Sequence, residues 1–150
     1  MRLLVFLVLM ATILISGSIS GQEVTEKPYD WQPIFGFKME GITVYYDRNS
    51  IETKYETSEQ KFNVGDILFV FDEPKEITTA TKTVLGYSEI THMIIECKSR
   101  TLAPIYDLLI GVKMPTDNDV ALAQHEYKKE DMVTLSKKDP LYHTLCPNYI

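Results

Sequence analysis

Glycine is scarce in this chain, seven residues in 150 with no two adjacent. That rules out a phosphate-cradling loop, a dinucleotide fingerprint and a Gly-x-Ser-x-Gly nucleophile elbow, all of which need clustered glycines. Basic residues are outnumbered, 15 Lys and Arg against 21 Asp and Glu, for a net charge of −6. They touch one another only at Lys128-Lys129 and Lys137-Lys138. A nucleic-acid or anionic-membrane surface needs clustered Lys and Arg, so nucleic acid is excluded as a partner. Cysteine is limited to Cys97 and Cys146, whose spacing allows neither a CxxC redox site nor a cysteine zinc site. No motif asks for a cofactor.

Apolar runs are absent except at the start, where Arg2 precedes Leu3–Ile15 and the small-residue exit Ser16-Gly17-Ser18-Ile19-Ser20. A spanning helix needs about 20 apolar residues, and this run is shorter and followed at once by polar chain. The pattern is that of a secretory leader over 1–20, cleaved before Gly21. No Cys near the cleavage point could take a lipid, so the expected product is a soluble secreted or periplasmic protein without a stable membrane anchor. An oxidising compartment favours a Cys97–Cys146 disulfide. Closing a loop of about 50 residues restricts the unfolded chain by roughly 4 kcal/mol in the entropy model.

The mature chain divides into a polar lead over 21–33, whose Trp31 is expected to dock on the domain, and a single domain over 34–150. Period 2 dominates. Ile42, Val44 and Tyr46 alternate with Thr43 and Tyr45, which predicts a strand with one half-buried face. Ile51–Tyr55 and Lys61–Phe71 read as further strands, the latter with one phase break at Gly65-Asp66 that a bulge or tight turn would repair. Asp72-Glu73-Pro74-Lys75 is expected to end that element. Thr78–Glu96 is rich in Thr, Val, Ile and Tyr and predicts a long strand bent at Gly86. The turn Lys98-Ser99-Arg100 then returns the chain along Thr101–Val112 as an antiparallel partner. Val120–Tyr127 carries helix formers and is open between a short helix and an exposed excursion. Asp139-Pro140 is a helix start, with Asp as cap and Pro in the first turn. The expected architecture is α+β, a twisted antiparallel sheet with a short C-terminal helix, with room for a second helix, on one face.

Several separated motifs carry a family likeness. Val44-Tyr45-Tyr46-Asp47-Arg48-Asn49-Ser50-Ile51 resembles the Tyr-Tyr-Asp-x-x-Ser-Ile segment of surface-adhesin protein E-like domains. Glu96-Cys97-Lys98-Ser99-Arg100-Thr101 is similar to that family's pre-cysteine strand and turn, and Pro140-Leu141-Tyr142…Cys146 to its short final helix with a late Cys. The resemblance implies a bacterial envelope or secreted protein with a twisted sheet, a packed helix and a disulfide. With less force it implies adhesion, with a host matrix or envelope protein as partner. The chain departs from the family's lipid-anchored members in having no lipid-accepting Cys after the leader, and it has no basic face for polyanions.

Catalytic readings are thin. His92, Glu96, His125 and Glu126 could in principle build a metal or hydrolase site, but one i, i+4 pair leaves the third ligand unspecified, and a hydrogen-bonded sheet histidine is the commoner outcome. Tyr45, Tyr55, Tyr87 and Tyr106 are the candidate binding surface, since tyrosine offers rigid area with a polar tip. The competing reading makes them ordinary core and cross-strand residues. Exposed strand edges leave a homodimer open. The leading expectation is therefore a non-enzymatic exported protein that contacts another protein through its sheet. The alternative is a small periplasmic inhibitor or ligand-binding module working through the loop Lys113–Asp119.

Overall fold

The computed structural model describes residues 27–55, 61–78, 81–128 and 131–149. The leader over 1–20, its cleavage point and the spacer Glu56–Gln60 lie outside them. Eight strands follow in chain order: β1 (Trp31–Pro33), β2 (Ile42–Asp47), β3 (Glu52–Tyr55), β4 (Lys61–Thr78), β5 (Thr83–Glu96), β6 (Thr101–Ile110), β7 (Ala121–Glu126) and β8 (Val133–Thr134). The helix α1 (Pro140–Leu145) and a single 3-10 turn (Pro147–Tyr149) close the chain. All strands join one antiparallel sheet in the order β1-β2-β4-β5-β6-β7, with β3 continuing the β2 edge of β4 and β8 pairing with β6.

The expected α+β architecture is present. Asp139 caps α1 by accepting from Leu141 N at 2.9 Å, and Pro140 occupies the first turn. Leu141, Tyr142, Leu145 and Cys146 are buried, the last two completely. The Cys97–Cys146 disulfide fastens α1 to the end of β5.

Two details of β4 differ from the expected pattern. The strand passes through Gly65-Asp66 without a bulge, its register with β5 unbroken from Asn63↔Ile95 to Val70↔Ser88. The apparent phase break arises because β4 is buried on both faces. Ile67 and Phe69 point to the cluster under α1, whereas Leu68 and Val70 join a second cluster with Ile90 and Ile110. At Gly65 α1 packs close on the strand, and a β-carbon there would stand 2.9 Å from Leu145 Cδ2. The strand also continues through Asp72-Glu73-Pro74-Lys75, which was expected to end it. Pro74 falls in the gap between the pairs Val70↔Ser88 and Lys75↔Gly86, where no ladder hydrogen bond to β5 needs its missing N–H.

The same gap bends β5. Opposite it β5 contributes only Tyr87, so the ribbon of Lys75–Thr78 and Thr83–Gly86 turns away from the sheet plane beside Gly86, where the bend was expected. Val120–Tyr127 resolves as β7, an edge strand paired with β6 from Tyr106↔Glu126 to Ile110↔Ala121. Pairing with a formed neighbour outweighs the local helix propensity of Ala121, Leu122 and Gln124.

Trp31 docks on the domain as expected. Tyr29 and Trp31 stack at 4.7 Å and pack, with Tyr45, Val70 and Leu108, against Leu68, Ile90 and Ile110 on the face away from α1. Trp31 Nε1 donates to Pro115 O at 2.9 Å and Tyr29 N to Asp117 Oδ1 at 3.2 Å, so the segment is strapped to the loop Lys113–Asp119. At its other margin Asp30 N donates to Asp47 Oδ1 at 2.8 Å, and Asn49 Nδ2 to Pro28 O at 2.7 Å.

Candidate functional site

The register sorts side chains into two faces. On the α1 side lie the rows Tyr46, Ile67, Thr91, Asp107, His125 and Val44, Phe69, Glu89, Leu109, Ala123. On the strap side lie Tyr45, Leu68, Ile90, Leu108, Gln124 and, one row on, Asp66, His92, Tyr106, Glu126.

The helix covers only one end of its face. Towards the other end Phe69, Met93 and Leu109 are left as the floor of a groove, which the curled ribbon walls with Lys75 and Ile77 and the end of β7 walls with His125 and Tyr127. Two adjoining hollows of ≈ 470 Å³ and ≈ 340 Å³ make up this groove and share Lys75, Glu89 and Tyr127 in their lining. Gly86 sets the curl, because its missing side chain admits Leu109, whose Cδ1 would otherwise stand 2.2 Å from a β-carbon.

The polar groups of the groove are tied in pairs. Lys75 Nζ meets Glu89 Oε2 at 2.9 Å and lies 5.7 Å from the centre of the Phe71 ring. Tyr127 OH donates to Asp107 Oδ2 at 2.8 Å, and the His125 ring stands edge-on to Tyr127 at 4.9 Å. Burial, and after it the bond to Asp107, raises the Tyr127 phenol well above its ordinary value. Tyr127 is thus a fixed hydrogen-bond donor and no acid-base centre at neutral pH. Two other hollows, ≈ 590 Å³ and ≈ 570 Å³, flank the exposed Phe35 in the β1–β2 connection, without a comparable set of paired charges.

The four candidate tyrosines do not share a surface. Tyr45 and Tyr106 are half-buried on the strap face, Tyr55 is exposed on the short β3, and Tyr87 sits half-buried at the bend of β5. The proposed histidine site is also divided. His92 faces the strap side, its Nδ1 2.6 Å from Asp66 Oδ1 and its ring stacked on Tyr106, while His125 faces the groove. Among the described residues no three His, Cys, Asp or Glu converge on a metal position. The loop Lys113–Asp119 is occupied in holding the strap through Pro115 and Asp117. Sequence reasoning missed Lys75, Glu89, Asp107 and Tyr127, which come from four separate stretches and meet only because the ribbon curls.

The strap face has its own electrostatics. Asp47 is buried, which pushes its carboxyl up from the ordinary value, while bonds from Asp30 N and Asn49 N act the other way. Burial, reinforced by Asp66 and Asp117, raises the Tyr29 phenol to about 12.

Three solved structures of Haemophilus influenzae protein E share this fold. Crystal form II matches at a TM-score of 0.53 with 14% identity over 80% of this chain and 98% of that one. A second structure matches at 0.52 with 15% identity over 75% and 89%, and the selenomethionine form at 0.51 with 17% identity over 75% and 91%. No family model matches the sequence, and no curated protein matches it. Among the described residues no helix is long and apolar enough to cross a membrane.

Proposed function

We propose that this chain is an exported, non-enzymatic binding protein that holds another protein against the groove side of its sheet. The observation that carries the reading is the half-covered face. The helix and disulfide close one end, and the other is an apolar floor rimmed by Lys75–Glu89 and Tyr127–Asp107, each pair internally satisfied. Such a mixture of apolar floor and paired polar rim suits recognition.

The fold shared with protein E and the motif resemblance to surface-adhesin domains support the same reading. Export rests on the leader over 1–20, cleaved before Gly21, ahead of the lead 21–33 and the domain 34–150. The product is secreted or periplasmic, and the partner is a host matrix or envelope protein.

The test places a photo-crosslinking residue at His125 on the groove rim, with a control at Lys98 in the distant turn. The exported protein is irradiated with purified matrix proteins and with an envelope extract. Adducts to a discrete polypeptide at position 125 and none at 98 are expected. No adduct, or equal labelling at both positions, overturns the reading. Intact mass of the same preparation checks the start at Gly21.

A further inference from the structure

The outer strands are unequal. β1 has three residues and ends in Pro33, β3 has four and carries the Glu52–Lys54 ion pair, and β8 has two. Short length, proline and charge are the usual guards of a sheet edge. β7 has six residues, no Pro and no Lys, and only one full charge, Glu126. Within it Leu122 is 38% exposed, and just before it Val120 is 80% exposed.

The direction of its free hydrogen-bonding groups follows from one bond. Tyr127 N donates to Ile105 O at 2.9 Å, so Tyr127, His125 and Ala123 turn their backbone groups towards β6. Antiparallel ladders alternate, so the N–H and C=O of Gln124 and Glu126 point outward. Among the described residues no strand pairs with that side of β7.

From this edge we infer that β7 receives an extended segment of the partner polypeptide by strand addition. The inference rests on the binding reading above and gives the partner's form. An added strand extends the rows of the sheet, so alternate side chains fall beside Ala123 and His125 on the groove side. Ala123 is small and lines the margin of the groove, where such a side chain can lie against it. Lys75 already answers Glu89, so the charge left in the rows it joins is that of Asp107, which holds only the neutral Tyr127 phenol, and Glu126 marks the opposite face. The matching segment is therefore extended, apolar and basic. A second copy is the poorer occupant, because each chain carries a net charge of −6 and copies repel.

The probe is a short synthetic peptide alternating valine with lysine, beside a proline-interrupted peptide of matched charge. Amide exchange is followed by NMR on the mature chain. The alternating peptide is expected to slow exchange at Gln124 and Glu126 by about tenfold or more, and the interrupted one to leave it unchanged. Gln124→Pro removes an outward N–H without touching the β6 ladder and is expected to abolish binding at an unchanged melting point. Glu126→Lys is expected to weaken binding several-fold. Failure of the peptide to protect these amides, or binding by both variants equal to wild type, overturns strand addition. If crosslinking at His125 succeeds in that case, the groove reading stands alone, and if it fails both fall. Concentration-dependent protection of the same amides without peptide makes a second copy the occupant and overturns the inference.

Discussion

Leu109 occupies the space that a side chain at Gly86 would fill, with its Cδ1 2.2 Å from where a β-carbon would stand. One residue lies in the bent ribbon and the other in β6, so their contact holds the groove wall to its floor. Gly86→Ala is expected to cost about 1–3 kcal/mol, as overpacking of a tight site does. Adding Leu109→Ala should give a double variant less destabilised than the sum of the single changes. Strict additivity in urea unfolding would show that the contact does not exist in solution.

The staple between Cys97 and Cys146 spans 49 residues. Replacing both by Ser should lower stability by roughly 4 kcal/mol in the loop-entropy model. Because Leu145 lies over Gly65, the loss should concentrate in α1. Amide exchange is expected to accelerate at Tyr142 to Cys146 before it does in β5, and uniform acceleration would contradict this.

Trp31 is the chain's one tryptophan and fastens the strap through Pro115 O. Trp31→Phe keeps a ring and loses the donor, with an expected cost of about 1 kcal/mol. The variant should show faster exchange at the Tyr29 amide while the β4–β5 ladder is unchanged. Unaltered exchange at Tyr29 would mean that the strap is held without this bond.

Asp47 gives a pH dependence of definite sign. Its folded carboxyl is raised above 3.8, so the folded state keeps the proton more tightly than the unfolded one. The stability it contributes is complete below 3.8 and is lost as pH rises through the folded value. Asp47→Asn retains an acceptor for Asp30 N and Asn49 N without the charge. Relative to that variant, wild type should gain stability on acidification across this window and run parallel above it. Asp47→Ala should instead lose about 1–3 kcal/mol at every pH, since two part-buried amides lose their acceptor. Urea midpoints of the three proteins from neutral pH to below the window decide the matter.

Local signals were legible in the sequence. Asp139-Pro140 announces α1 because capping involves only neighbouring residues, and two cysteines leave one intramolecular pairing. Period 2 finds β2. Pro74 misled because its cost depends on whether β5 is paired there, which is a tertiary fact. Gly65-Asp66 misled because a strand buried by a helix on one face and a strap on the other has no single apolar phase. Tyrosine abundance did not locate the groove, since Tyr45 and Tyr106 lie on the strap face, and Lys75, Glu89, Asp107 and Tyr127 come together only when the ribbon bends.

The strand order is nearly the chain order, and that shapes how the molecule assembles. The ladders β4–β5, β5–β6 and β6–β7 each join successive segments, so most of the sheet can zip from short loops. Two closures remain that must bring distant chain together: the strap over 84 to 88 residues and the staple over 49. Loop entropy places these late. A nascent meander would therefore show both of its apolar faces before either is covered, and the interval before strap and helix arrive is when this chain most needs shielding from its neighbours.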